Sequence, residues 1–365
     1  MRIALVRRGY SATGGAEAYL RRLGNGLVEA GMEVVFYTSN DWPEAAWGYG
    51  EIRRISSKSP LAFAQQLRRM KKDVDCIFSL ERILECDVYR AGDGVHQVWL
   101  QRRAKFEHRW RRWVRLLNPK CKQILNLERY TFHPDHTGVV IANSRMVQEE
   151  IWKFYHFPKE RLVLIPNGFE GASPLSGDRM RIRQQYGFSA EETVILFTGT
   201  GWMRKGLRFA VNAVNALQGR ARLLVAGRGP SRSYHSPHTV FAGPISQMTP
   251  LYAAADIFLL PTLYDPFSNA CLEALSAGLP VITTDGNGFS EILENTELGD
   301  QVPIGDEKGL IRALMRWLPR QMRESTRQVR LDVARQFSMK ENVRKTLEAI
   351  HLSLEMRKIV SRKGN

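Results

Sequence analysis

Short apolar runs, many of them β-branched, alternate along this chain with longer segments whose apolar residues recur at helical spacing. RIALV (2–6) leads through a Gly-containing loop to AEAYLRRLGNGLVEAG (16–31). There Ala18, Leu20, Leu23, Leu27 and Val28 lie near a helical period, and EVVFYTS (33–39) follows as a second apolar run. This strand–helix–strand opening predicts a parallel sheet. Further strands are expected at CIFSL (76–80), GVVIANS (138–144) and LVLIPNG (162–168), the last closed by its Pro-Asn-Gly turn.

A second alternation begins near residue 193. TVILFTG (193–199), ARLLVAG (221–227), TVFAG (239–243), DIFLLPT (256–262) and LPVITTD (279–285) each predict a buried strand. KGLRFAVNAVNAL (205–217) and SNACLEALSAG (268–278) predict helices between them. The two alternations predict an α/β protein of two doubly wound, Rossmann-like domains facing a central cleft. A boundary is expected at the Gly/Ser/Pro-rich stretch EGASPLSGD (170–178). The expected domains are 1–170 and 171–340, with a final helix over about 340–365 able to pack back on the first. A length of 365 residues suits two cores better than one.

Composition is that of a globular protein: 44% hydrophobic and 25% charged. Charge changes the picture. The formal net charge is +16, which points to an anionic partner such as a nucleic acid, an acidic membrane surface or a phosphorylated substrate. The four cysteines, 76, 86, 121 and 271, form no CxxC pair and no zinc pattern, so they read as incidental thiols of a reducing compartment. The opening MRIALVRRGYS reads as no signal peptide, and no apolar run approaches the roughly 18–20 residues of a membrane span. The expected location is the cytoplasm, with any membrane contact peripheral.

Candidate chemistry sits where strands end, because ligands of open parallel sheets bind at the strands' carboxyl ends. GTGWMRKG (199–206) follows a strand and is expected to open a helix. Gly201 and its neighbours let backbone approach a ligand, and Arg204 and Lys205 add fixed positive charge, a combination suited to a diphosphate. Gly14 and Gly15 of GGAE play the same part after the first strand, although the GxGxxG dinucleotide fingerprint is missing. Gly227 and Arg228 of AGRGP leave room for a base or ribose. YDPFSNACLE (264–273) sets Asp265 in a loop after a buried strand and Glu273 just past the first turn of the next helix, with Phe267, Ser268 and Asn269 between. A carboxylate accepts from two hydroxyls at once, so Glu273 suits a ribose cis-diol.

In family order, GGAE, IPNG, GTGWMRKG, AGRGP, VFAG and LYDPFSNACLEALSAGLPVITTD resemble the motifs of retaining family-4 glycosyltransferases of the GT-B fold. Among family members the chain is most similar to those that place glucose on the inner-core heptose of lipopolysaccharide. One departure is that the first acid of the pair, usually Glu, is Asp265. The resemblance implies that Glu273 holds the donor ribose, Asp265 the donor hexose, and Arg204 and Lys205 the diphosphate. It also implies that Gly15 and the amides of Ser268 and Asn269 line the donor. GDGVHQVW (92–99) matches the region where relatives keep an acid or His beside the transferred sugar, so Asp93 and His96 are both candidates. The implied donor is a nucleotide sugar, UDP-glucose by similarity; no cofactor and no metal are expected, since no DxD-type motif stands out. A basic nucleic-acid-binding protein is the rival reading of the charge, and a nucleotide-sugar epimerase or hydrolase is the rival on the same fold.

Half of the charge excess is concentrated in 99–132, with ten Lys/Arg against Glu107 and Glu128, a net of +8. At helical spacing Phe106, Trp110, Trp113 and Leu117 share a face, Arg111, Arg112 and Arg115 lie opposite, and Arg109 sits at the edge. This pattern predicts an interfacial anchor on an anionic leaflet, the alternative being a helix packed on its own domain with a solvated basic face. The resemblance implies that the leaflet, the inner face of the cytoplasmic membrane, holds a lipid-linked acceptor, and no nucleic-acid partner is expected.

Overall fold

The structure is a computed structural model and describes every residue except 12–13, 71–72, 109, 111–117, 171–176 and 364–365. It divides into two compact units, Met1–Gly168 with Met339–Asn365, and Phe169–Ser338.

Unit 1 is built on a parallel sheet of order β3-β2-β1-β4-β5-β6-β7. Its strands are β1 (Arg2–Val6), β2 (Glu33–Ser39), β3 (Glu51–Ile55), β4 (Cys76–Ser79), β5 (Cys86–Arg90), β6 (Thr137–Ala142) and β7 (Leu162–Leu164). The helices that cover it include α1 (Gly15–Glu29), α2 (Pro60–Arg69), α3 (His96–Ala104), α4 (Pro119–Thr131) and α5 (Arg145–Tyr155). Ile3, Ala4, Leu5 and Val6 of β1 are all fully buried, as expected of a strand covered on both faces. Leu20, Leu23 and Leu27 of α1 form the stripe that packs on it.

Unit 2 repeats the architecture with order β10-β9-β8-β11-β12-β13, again all parallel. The strands are β8 (Val194–Thr198), β9 (Arg222–Ala226), β10 (Thr239–Gly243), β11 (Ile257–Leu260), β12 (Val281–Thr284) and β13 (Gly299–Val302). Its helices include α6 (Asp178–Gln185), α7 (Trp202–Lys205), α8 (Leu207–Asn215), α9 (Thr249–Ala254), α10 (Asn269–Ser276), α11 (Glu307–Trp317), α12 (Arg320–Ser325) and α13 (Arg327–Arg335). The last helix, α14 (Met339–Lys363), belongs to unit 1. Its Val343 lies so close to α1 that a Cβ on Gly26 would come within 2.5 Å of it. Its Ser353 donates to the Asp87 carbonyl at 2.7 Å.

Strand order reverses beside β1 in unit 1 and beside β8 in unit 2. These switch points open a crevice at the carboxyl ends of β1 and β4, and of β8 and β11. Three strands were not legible as apolar runs: β3 (EIRRI), β5 (CDVYR) and β13 (GDQV). The helix expected over 205–217 is interrupted. Lys205 ends the single turn α7, and α8 begins only at Leu207. Gly206 makes the break with φ +77°, and a Cβ there would lie 1.8 Å from the Pro261 carbonyl oxygen. Among the described residues, no helix is long and apolar enough to cross a membrane.

Candidate functional site

The unit 2 switch point brings the segment after β8 against the segment after β11. The Arg204 carbonyl accepts from Leu263 N at 2.8 Å and from Thr262 Oγ1 at 2.9 Å, which stitches the two loops together. Lys205 Nζ forms an ion pair with Asp265 Oδ2. Arg204 donates through Nη1 to the Tyr264 carbonyl at 2.8 Å and comes within 4.0 Å of the same carboxylate. The Asp265 side chain is 9% exposed, that of Lys205 13% and that of Arg204 34%. The group therefore holds two cations against one carboxylate and keeps an excess positive charge at a strand end, where an incoming anion is attracted. The backbone of Asp265 is fixed on both sides: its amide donates to Gly286 O and its carbonyl accepts from Gly288 N, each at 2.9 Å.

α10 starts next to this cluster. Ser268 caps it, its Oγ accepting from Cys271 N at 3.4 Å. The Ser268 amide donates to Asn287 Oδ1 at 3.2 Å. Glu273 accepts from the Tyr252 hydroxyl at 2.9 Å. Burial and the neighbouring Glu273 charge push the Tyr252 hydroxyl well above its ordinary range, so it stays protonated and donates.

The remaining donor-side candidates of unit 2 are spread around this centre. Gly227 has φ +135°, and a Cβ on it would stand 2.0 Å from the Gly199 carbonyl oxygen. Its lack of a side chain lets two backbones touch at the ends of β8 and β9. Arg228 is exposed. Gly201 has φ +69° and open space where a side chain would stand. Phe267 packs against Phe289 and Phe337, with ring centroids 5.6 and 6.3 Å away.

The unit 1 switch point is a second charged group, centred on Arg7 immediately after β1. Its guanidinium lies 3.3 Å from Asp93, 3.6 Å from Glu17 and 3.9 Å from Glu81. Burial opposes the charge of Arg7, but the three carboxylates, Asp93 foremost, outweigh it and hold Arg7 more firmly protonated than usual. Burial pushes the Glu81 carboxyl up; Arg7 pulls it back, and Asp93 adds to the rise. Gly14 precedes α1, and a Cβ there would lie 1.7 Å from Glu17 Oε2, so Gly14 makes room for Glu17 folded over the helix start. Gly15 opens α1. Asp93 is 48% exposed at its side chain. His96 begins α3, partly buried, with Nε2 4.0 Å from Cys121 Sγ.

The sequence did not single out Arg7, Glu81 or Tyr252, and it presented Glu17 only as part of a glycine turn. For Arg7 and Glu81 the signal was position: they stand one and two residues past the two strands that flank a switch point. Of the basic segment, Arg109, Arg112 and Trp113 lie outside the described residues. Phe106 is partly buried, and Trp110 is 62% exposed. The four cysteines are free thiols. Among the described residues, no group of three or more His, Cys, Asp or Glu side chains converges as a metal site.

Residues 13–170 match the family described as Glycosyltransferase Family 4, and residues 192–319 match Glycosyl transferases group 1. An uncharacterised glycosyltransferase of Methanocaldococcus jannaschii is 28% identical over 238 residues, which span 60% of this chain and 60% of that one. The lipopolysaccharide glucosyltransferase WaaG of Escherichia coli strain K12 is 22% identical over 337 residues, 84% of this chain and 87% of that protein. A crystal structure of WaaG superposes with a TM-score of 0.79 at 20% identity, covering 95% of this chain and 99% of that one. Anabaena HepE, solved with UDP and glucose, gives a TM-score of 0.73 at 16% identity over 95% of this chain and 99% of that one. Both structures share the fold of two parallel-sheet α/β domains.

Proposed function

Since the chain belongs to the family-4 glycosyltransferases of GT-B fold, we propose that it is a retaining hexosyltransferase. It moves glucose from UDP-glucose to a sugar hydroxyl on a membrane-held acceptor such as the inner-core heptose of lipopolysaccharide. The observation that carries the reading is the Arg204–Lys205–Asp265 cluster at the unit 2 switch point, with Glu273 on the helix that follows. The excess positive charge suits the diphosphate, and Glu273 suits the ribose hydroxyls. Asp265 holds the hexose, and Lys205 turns from Asp265 toward phosphate when the donor enters. The names of the relatives support the substrate class: WaaG is a glucosyltransferase, and HepE was solved with UDP and glucose.

In the reaction the bond from the glucose C1 to the phosphate oxygen breaks, and the electron pair leaves with UDP. The acceptor oxygen bonds to C1 on the same face, and its proton passes to the departing phosphate oxygen. Arg204 and Lys205 stabilise the charge that grows on that oxygen, and no separate base or metal ion is needed. Removing one such group typically costs about 2.7–4 kcal/mol of barrier, by analogy with oxyanion-hole donors. Asp93 or His96 contacts the transferred sugar. The enzyme sits peripherally on the inner face of the cytoplasmic membrane, held by its basic segment.

The test is a thermal-shift panel of UDP-, GDP- and ADP-glucose, followed by product analysis with and without heptose-terminated lipopolysaccharide. UDP-glucose is expected to raise the melting temperature most, because a ligand that binds only the native state stabilises it. An α-linked product is expected only with acceptor. No shift with any nucleotide sugar, a β-linked product, or hydrolysis at one rate with and without acceptor would overturn the reading, the last in favour of a hydrolase.

A further inference from the structure

α3 begins without a cap of its own: Val95 precedes it and supplies no side-chain bond. The first amides of a helix have no partner within it and must find one elsewhere. Here the partner comes from a helix about thirty residues away in the chain. Glu128, near the end of α4 and fully buried, accepts from His96 N at 2.6 Å through Oε2 and from Gln97 N at 3.0 Å through Oε1. Arg82 Nε donates to Oε2 at 3.0 Å, and the Tyr155 hydroxyl donates to Oε1 at 2.7 Å. Burial and Glu128 both push the Tyr155 hydroxyl up, so it remains a donor. Each carboxylate oxygen thus takes two donors, which satisfies a buried charge and fills its acceptor sites.

The same arginine holds the other end of the loop, because Arg82 Nη2 donates to Gly94 O at 2.7 Å. Asp93 is held by Arg7 at 3.3 Å. Residues 93–97 are therefore gripped at a carbonyl, a side chain and two amides, and three of those four contacts run through the Arg82–Glu128 pair. We propose that Glu128 is the positioning residue of the loop 93–97: it sets where Asp93 and His96 stand and does not itself touch substrate. The proposal rests on the reading that one of those two residues meets the transferred sugar.

The experiment compares Glu128→Gln, Tyr155→Phe and the parent. An amide end in place of one oxygen cannot accept, so the Gln variant is expected to speed hydrogen exchange at the His96 and Gln97 amides at least tenfold, with unit 2 peptides unchanged. Turnover with UDP-glucose and heptose-terminated lipopolysaccharide is expected to fall at least tenfold, while UDP binds with the parent's stoichiometry and Kd. Tyr155→Phe removes one donor and leaves both amide bonds, so a two- to threefold fall is expected. If the Gln variant does not fold, Glu128→Asp, whose shorter side chain cannot span both amides, carries the same readouts, and the Phe variant is the control whose amide exchange stays parental. Unchanged exchange overturns the proposal, as does parental turnover. A loss of turnover that tracks a loss of UDP-binding stoichiometry also overturns it, since that marks a merely structural role. A parent that transfers no sugar overturns the proposed function instead, and the exchange measurement still decides the clamp.

Discussion

The Tyr252 hydroxyl donates to Glu273 Oε2 at 2.9 Å, which ties α9 to α10 at the proposed ribose site. Hydrogen bonds to charged groups are worth about 1.5–3 kcal/mol, enough to hold one carboxylate rotamer. Tyr252→Phe is expected to raise the Kd for UDP-glucose about tenfold without loss of fold, and Glu273→Ala to lower nucleotide-sugar use at least tenfold. Calorimetric titration of UDP-glucose checks both. Parental affinity in the Glu273 variant would remove the residue from the donor site.

Lys205 and Asp265 form the most buried charge pair of the unit 2 cluster. Charge on the diphosphate grows in the transition state, so Lys205→Ala is expected to lower kcat more than it raises KM. In contact, the two residues should also be energetically coupled by at least about 0.5 kcal/mol. A double-mutant cycle with Asp265→Ala, read in kcat/KM, measures this. Additive losses, or a loss confined to KM, would count against the role given to Lys205.

Glu81 carries a pH signature. Its folded carboxyl is raised above the ordinary glutamate value by burial. A raised folded pKa means the native state holds the proton longer than the unfolded chain does. Stability from this group is thus full below the unfolded value, about 4.3, and is lost as pH rises through the higher folded value. Glu81→Gln removes that loss. The variant is expected to melt above the parent at pH 8, with the gap closing as pH falls to about 4. A variant that melts below the parent by a margin growing with pH would refute this.

Both acids of the basic run are turned inward. The Glu128 side chain is fully buried, and that of Glu107 is 3% exposed and paired with Arg103. Among the described residues of this segment, Arg102 pairs with Glu150 and Arg103 with Glu107, while Lys105, Lys120, Lys122 and Arg129 are exposed, as is Trp110. Each Lys or Arg near an anionic leaflet contributes about 1 kcal/mol. The protein is expected to sediment with vesicles containing anionic lipid and to be released by salt. The double substitution Trp110→Ser with Trp113→Ser should weaken sedimentation. Equal partition onto neutral and anionic vesicles, or none onto either, would rule out the anchor.

The sequence by itself determined the two α/β halves, because strands buried on both faces must be written as apolar runs. VILFT and IFLL are fully buried in the structure. It also determined that Arg204, Lys205 and Asp265 stand at strand ends. What escaped were strands whose polar residues find partners far away in the chain. In β5, Asp87 accepts from Ile77 N at 2.7 Å, and Arg90 donates to Asn167 at 2.6 Å while stacking on Tyr19 at 4.1 Å. β3 keeps its charges at the sheet edge, where Arg53 pairs with Glu51 and Asp73. The supporting residues of the sites escaped for the same reason. Nothing local marks Tyr252 as the partner of Glu273, Arg7 as the cation among three acids, or Glu128 as the cap of a helix that precedes it. A hydrophobic pattern is written residue by residue, whereas the pairing of a buried charge is fixed only when the folded chain brings its partner within hydrogen-bonding distance.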